Sequence, residues 1–173
     1  MPSVPDLSPH AHRAAPGSVR PVVAADLAAL RTVIDATGLF PSAWLDEMAA
    51  GYLTSTADGD AWLTADDGGR PVAVAYYAPE PMTDGTWNLR LIAVHPDHQG
   101  RGYGVALMRR LEDVLAACGA RVLLVETSGL PAFARTRAFY HARGYEEAAC
   151  IREFYAAGED KVVFRKALAP AAP

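Results

Sequence analysis

Cysteine is almost missing from this 173-residue chain. Cys118 and Cys150 stand far apart, with no C-x-x-C spacing and no second pair, which excludes a disulfide framework and a cysteine zinc centre. Both are expected as buried thiols in a reducing compartment. Positive charge is also in short supply: 16 basic against 20 acidic side chains give a net charge of -4 and a pI near 5.7, so there is no sequence-wide field for a phosphate backbone and no nucleic-acid partner is expected. Only Lys161 and Lys166 are lysine, the other basic residues being arginine, a bias that carries no functional weight. No run approaches the roughly 18 to 20 apolar residues of a membrane span, and the first eighteen residues, with Pro2, Pro5, Pro9 and Pro16, contain no apolar leader core. A cytoplasmic protein with no membrane partner is the expectation. What is present is the composition of a folded protein, 51% hydrophobic and 21% charged. One domain is expected over 18–168, with a flexible tail at 1–17 and a short one at 169–173. His10 and His12 in the first tail lack partners, so no metal site is expected.

Periodicity divides that domain into eleven elements. A short strand over Ser18 to Val23 precedes a helix capped by Asp26, with Leu27, Leu30 and Ile34 at helical spacing and Gly38 as its stop. A second helix after Pro41 places Trp44, Leu45, Met48 and Tyr52 on one side. Trp62 to Ala65 and Pro71 to Ala78, joined by Asp66-Asp67-Gly68-Gly69, read as a β-hairpin, and Thr86 to Val94 as the next strand. From Gly102 the period becomes helical: Leu107, Met108, Leu111, Val114, Leu115 and Cys118 form an apolar stripe closed by Gly119. Arg121 to Thr127 reads as a strand buried on both faces, Pro131 to Arg143 as a helix stopped by Gly144, and Tyr145 to Ile151 and Lys161 to Leu168 as two last strands around a loop holding Gly158. The order βααβββαβαββ predicts an α/β fold with a mixed, mostly antiparallel central sheet flanked by helices.

The segment Val94-His95-Pro96-Asp97-His98-Gln99-Gly100-Arg101-Gly102-Tyr103-Gly104 sits between a strand and an amphipathic helix. Glycines allow a tight turn that aims successive N–H groups at an anion, and the helix adds the positive end of its dipole. Gln99, Gly100, Arg101, Gly102, Tyr103 and Gly104 are therefore expected to cradle a pyrophosphate. A P-loop is excluded because no Gly-Lys-Ser/Thr follows, and a dinucleotide fingerprint because Leu107 stands where its last glycine belongs.

These residues resemble the GNAT-type N-acetyltransferase superfamily. Its acyl-CoA signature, Q/R-x-x-G-x-G/A behind a strand ending V-x-P, is met by Gln99, Gly102 and Gly104 behind Val94-His95-Pro96. Ala138-Phe139-Tyr140-His141-Ala142-Arg143-Gly144-Tyr145 is similar to the family's helix ending F/L-Y-x-x-x-G-F/Y, and the two blocks come in the family's order with a strand between them. The resemblance implies an acyl-CoA N-acyltransferase fold with splayed central strands, acetyl-CoA as acyl donor and no metal. It implies that the pantetheine arm lies between the splayed strands against the backbone of Ile92, Ala93 and Val94. Where many members have asparagine seven residues before the tyrosine, this chain has Phe133, so that side-chain contact is absent or replaced.

Tyr140 is the candidate acid: a hydroxyl beside the departing sulfur can donate a hydrogen bond, whereas a packing residue needs no such neighbour. The attacking amine must lose a proton, and a carboxylate serves. Glu126 ends an apolar strand near the expected splay and is read as base, as substrate anchor, or as the partner of a structural arginine. Glu80, before the central strand, is a further candidate base; His95 and His98 read as surface or capping residues. Glu153-Phe154-Tyr155 with Gly158-Glu159-Asp160-Lys161 resembles an acidic, aromatic loop of a bacterial GNAT subgroup and either frames a cationic acceptor or is an ordinary polar hairpin. The implied function is transfer of an acetyl group to a primary amine of a small molecule, amino-acid derivative or peptide. The alternative is a silent acyl-CoA sensor or interaction module. The oligomeric state is left open, a homodimer included.

Overall fold

Strands and helices form where the apolar pattern places them, and the sheet topology follows from hairpins and one crossover. The computed structural model of the chain describes residues 17–55 and 59–168. The tails expected at 1–17 and 169–173, with His10 and His12, lie outside the described residues apart from Gly17. In chain order the elements are β1 (Val19–Pro21), α1 (Leu27–Thr37), α2 (Leu45–Leu53), β2 (Ala61–Asp67), β3 (Arg70–Pro79), β4 (Thr86–Val94), α3 (Tyr103–Ala117), β5 (Val122–Ser128), α4 (Ala134–His141), β6 (Glu146–Ala156) and β7 (Glu159–Ala167). They form one seven-stranded sheet in the order β1-β2-β3-β4-β5-β7-β6. All neighbours are antiparallel except β4 and β5, which α3 joins in parallel. The expected element order and mixed, mostly antiparallel sheet are borne out.

Alternation along the strands makes two cores. Ala61, Leu63, Ala75, Tyr77, Leu89, Leu123 and Val125 meet the stripe Leu107, Met108, Leu111 and Leu115 of α3 on one face. Trp62, Val74, Leu91 and Ala93 meet Leu30, Val33 and Ile34 of α1 and Leu45, Ala49 and Tyr52 of α2 on the other. Each fully covered leucine or isoleucine contributes about 1.5–3 kcal/mol relative to its exposed state, so these stripes dominate the packing. The hairpin expected at Asp66 to Gly69 forms, with Gly68 and Gly69 both at positive φ, +58° and +83°. Arg20 locks the entry to α1: it donates to Asp26 Oδ2 at 2.7 Å and to Asp66 Oδ2 at 2.8 Å.

Several local expectations differ from the structure. Asp26 does not cap α1 with its side chain. A 3₁₀ turn over Ala24–Asp26 precedes the helix, and the carboxylate turns back to Arg20 and to the N–H of Val23 at 2.8 Å. Trp44 is exposed because it belongs to another 3₁₀ turn, Ser42–Trp44, ahead of α2, which shifts its phase relative to Leu45 and Tyr52. Cys150 is exposed on the edge strand β6, and Cys118 is only half-buried at the end of α3. β5 is not covered on both faces: Leu123 and Val125 are buried, whereas Glu126 points to an open face. β6 and β7 run on to a tight turn, so the segment from Glu153 to Lys161 is a hairpin rather than a wide loop. No helix among the described residues is long and apolar enough to cross a membrane.

Candidate active site

The site begins where β4 and β5 part. They pair only from Thr86 with Val122 to Leu89 with Val125. Beyond that, β5 continues against β7 alone, and Arg90 to Val94 keep β3 as their partner on one side only. The cause lies in β4: Tyr76 faces Leu91 and Tyr77 faces Leu89, so Arg90 is an extra residue, a β-bulge that bends the strand away. It also resets the alternation. Leu89 and then Ile92 and Val94 face α3, whereas Leu91 and Ala93 face α1. The unpaired edge of Ile92 to Val94 is the backbone that the sequence resemblance reserves for a pantetheine arm.

A cavity of about 590 Å³ opens on the α3 side of this gap. Gln99, Gly100, Gly102, Tyr103 and Gly104 line one wall, Ile92 and Val94 the floor, and α4 the other wall with Tyr140. A 3₁₀ turn over Pro96–His98 swings the chain out of β4, and the Gln99 side chain donates to Val94 O at 3.2 Å, holding the loop to the strand end. Gly102 starts α3 at φ +91° with no side-chain cap. The first helical amide bond runs from Ala106 to Gly102 O at 2.9 Å. The amides of Tyr103, Gly104 and Val105 therefore have no helical acceptor, and the first turn carries no acidic residue. Unfilled amides on a dipole's positive end, inside a long cavity, fit a pyrophosphate with an arm behind it.

Not every residue of the sequence reading reaches this cavity. Ala93 turns its side chain into the core under α1, so only its backbone can serve, and Arg101 is exposed on the loop outside the lining residues. Ala132, Arg135, Thr136 and Phe139 line it and were missed. With Tyr140 they follow the spacing i, i+3, i+4, i+7, i+8, a helical stripe visible in Pro131 to Arg143 once its cavity-facing side is known. Phe133 ends the 3₁₀ turn before α4, and the turn's backbone is held by Arg137, which donates to Ser128 O at 2.6 Å and Leu130 O at 2.9 Å.

Tyr140 is 2% exposed, its ring among Phe139, Tyr145 and Phe164. Burial raises its pKa well above the usual phenol value because the phenolate would lose hydration. The hydroxyl therefore stays protonated, and no hydrogen-bond partner for it exists among the described residues.

A second cavity, of about 330 Å³, is lined by Glu80, Asn88, Leu89, Arg90, Glu126 and Tyr155. Asn88 and Glu126 lie on the sheet face opposite the first cavity, next to the same parting of β4 and β5. Glu126 pairs with Lys161 at 3.1 Å, a lysine rather than the expected arginine, and that lysine is 9% exposed. Lys161 also stands 3.7 Å from the centre of the Phe154 ring. Tyr155, held in the β6–β7 hairpin, has its pKa raised by burial and then by the carboxylates of Glu126 and Glu159. Glu80 accepts from Asn88 Nδ2 at 2.8 Å. His95 accepts from the N–H of Asp97 as a capping histidine does, whereas His98, with Nε2 3.3 Å from Asp67, lines the first cavity with its Nδ1 buried and unpartnered among the described residues, so it is not the surface residue expected.

The acetyltransferase (GNAT) family model matches residues 30–145. Among curated proteins none matches. Among solved structures, a GNAT-family protein from Desulfovibrio desulfuricans is 33% identical with a TM-score of 0.82, covering 88% of this chain and 99% of its own. The ribosomal-protein-S18-alanine N-acetyltransferase of Escherichia coli shares the fold at 24% identity and TM-score 0.74, over 90% of this chain and 96% of its own. A Salmonella typhimurium protein solved with its cofactor acetyl-CoA shares it at 21% identity and TM-score 0.68, over 90% and 96%.

Proposed function

The chain belongs to the GNAT family of acetyltransferases, and from that membership we propose that it moves the acetyl group of acetyl-CoA to a primary amine of a small molecule, an amino-acid derivative or a peptide. The observation that carries this reading is one cavity holding both the free amides of α3 and the buried, protonated Tyr140. When bound, acetyl-CoA supplies an activated acetyl thioester. The amides of Tyr103, Gly104 and Val105 hold its diphosphate, and the backbone of Ile92 to Val94 lines the path of its arm. Gln99, Gly100 and Gly102 shape that loop, and Arg101 adds charge at its mouth. Tyr140 donates a hydrogen bond where negative charge builds on the sulfur. Glu126 holds Lys161 with Oε2 alone, so on the second cavity its other oxygen serves as a hydrogen-bonding anchor for the acceptor rather than as the base. A cytoplasmic location and a single domain over 18–168 belong to the same reading.

The test is thermal melting followed by thiol release. Acetyl-CoA should raise the melting temperature, since a ligand that binds only the native state stabilises it by mass action, while NAD and ATP leave it unchanged. Free thiol should then appear with at least one amine of a panel holding an alanine-terminated tripeptide amide, lysine, spermidine, kanamycin and benzylamine. A shift without thiol release from any of a wide set of amines would make the protein a binding module. No shift with any acyl-CoA would remove the loop assignment itself.

Glu126→Gln gives a smaller, separate outcome. As an anchor, Glu126 should raise the acceptor KM by about three- to tenfold when changed, with kcat within about twofold. Because Lys161 is left buried without its counter-ion, the melting temperature should also fall. A drop confined to kcat would return Glu126 to the role of base, and a stability loss with unchanged kinetics would leave it as an ion pair only.

A further inference from the structure

We propose that Asn88 is the positioning residue for the attacking amine and that Glu80, which it holds, is the group that takes the amine's proton. The role assumes the acetyltransferase activity proposed above and concerns only how this chain handles its acceptor. Asn88 is the one amide inside the apolar run of β4 and is 8% exposed. Its Nδ2 donates to Glu80 Oε1 at 2.8 Å, which fixes the orientation of the amide because a carboxylate oxygen can only accept. Oδ1 is then buried with no donor among the described residues, while Asn88 as a residue lines the second cavity, so a ligand reaches the atom from there by a small side-chain adjustment. A buried acceptor left unpaired is costly unless a ligand completes it, and the ligand that completes an amide oxygen beside a carboxylate is an N–H group. A primary amine seated beside the Asn88–Glu80 pair, with that bond kept, supplies it.

The alternative carboxylate is already committed. Glu126 faces Lys161 at 3.1 Å, whereas Arg90, which lines the same cavity, stands 4.0 Å from Glu80, at the outer edge of ion-pair distance. The charged and titratable groups around Glu80 are Arg90 on β4, Glu126 on β5 with Lys161 from β7, and Tyr155 from β6. The bulge at Arg90 places Asn88 just before the parting of the strands, so an amine seated there faces the gap. The acceptor ammonium gives one proton to Glu80, which passes it to solvent. The freed lone pair bonds the acetyl carbon as the carbon–sulfur bond breaks, and a second N–H proton ends on sulfur as the thiol. Asn88 Oδ1 accepts an N–H of the nitrogen throughout, keeping its lone pair aimed at the gap.

Two measurements test this, and one needs no turnover. Benzylamine titrated into labelled full-length protein saturated with CoA should shift the Asn88 side-chain amide and the Arg90 backbone amide in a saturable way. In Asn88→Leu the affinity read at Arg90 should fall at least threefold. With the panel amine that gives thiol release, Asn88→Leu should lower kcat about tenfold while the melting shift from acetyl-CoA is kept. The lower-pH limb of kcat/KM should vanish in Glu80→Gln, because the amide cannot take a proton. Glu126→Gln should leave that limb in place. A limb that persists in Glu80→Gln, an unchanged kcat in Asn88→Leu, or no saturable shift at Asn88 overturns the assignment. Absence of thiol release with every amine overturns the acetyltransferase reading instead, since the titration is independent of turnover.

Discussion

Tyr140→Phe should lower kcat for amine acetylation by about ten- to a thousandfold while leaving acetyl-CoA affinity within about twofold, as expected when one transition-state hydrogen bond is lost. The size follows from the environment of the hydroxyl. With ordinary values of about 10 for a phenol and about 8.5 for a thiol, full proton transfer to sulfur is uphill by roughly 2 kcal/mol. Burial raises the tyrosine further, so transfer becomes less favourable still, while the neutral O–H remains a donor in a site with little water to compete. Stabilisation of charge on the sulfur by a hydrogen bond is therefore the dominant contribution. The pH dependence has a matching sign: ionisation would remove the donor, and since the folded hydroxyl ionises above the usual phenol range, wild-type kcat should show no loss from it up to pH about 10. The ring contacts with Phe139, Tyr145 and Phe164 survive in phenylalanine, so the melting temperature should hardly move. Single-turnover rates equal to wild type would reduce Tyr140 to a packing residue.

Gly102→Val should weaken acetyl-CoA binding by about a hundredfold or more and erase its thermal shift. Among the described residues no atom lies within 4 Å of the position a Cβ would take, so the penalty is not a clash with them. It comes from φ +91° at the start of α3, a region that costs a non-glycine residue about 1–3 kcal/mol and is worst for a β-branched one. Relief requires the loop to rotate, and rotation turns away the amides of Tyr103, Gly104 and Val105. Because those amides have no helical acceptor and no other partner among the described residues, the loss should appear in binding more than in stability. Gly104→Ala is the useful contrast: its Cβ would meet Phe139 at 3.6 Å and Val94 at 3.7 Å, ordinary contacts in a helix, so any loss there measures how closely the ligand approaches. Unchanged affinity in Gly102→Val would separate the glycine loop from the phosphate.

Local chemistry made the element order legible. The Gly68-Gly69 turn, the stripe from Leu107 to Leu115 and the Val94-to-Gly104 segment each carry their signal within fifteen residues or fewer, and each stands where the pattern put it. Trp44 and Asp26 were harder because a 3₁₀ turn before a helix changes the phase by a fraction of a turn, which no apolar count reveals. Asn88 carried a signal that went unused: a lone amide in the strand Thr86 to Val94 is a polar group that burial must satisfy.

The sequence by itself determined the two-faced alternation of the strands, the glycine-rich turn at the start of α3 and the membership of Tyr140 in a helix behind it, since all of these depend on neighbours along the chain. Only the tertiary structure decided that β4 and β5 separate after Leu89 and Val125, that Arg90 is the extra residue behind that separation, and that Glu126 finds Lys161. It also decided that Asn88 holds Glu80 with one end of its amide and leaves the other unmet. Register, bulges and ion pairs depend on which distant strands come to lie side by side, and that outcome is set by packing both faces of the sheet at once rather than by any segment's own preference.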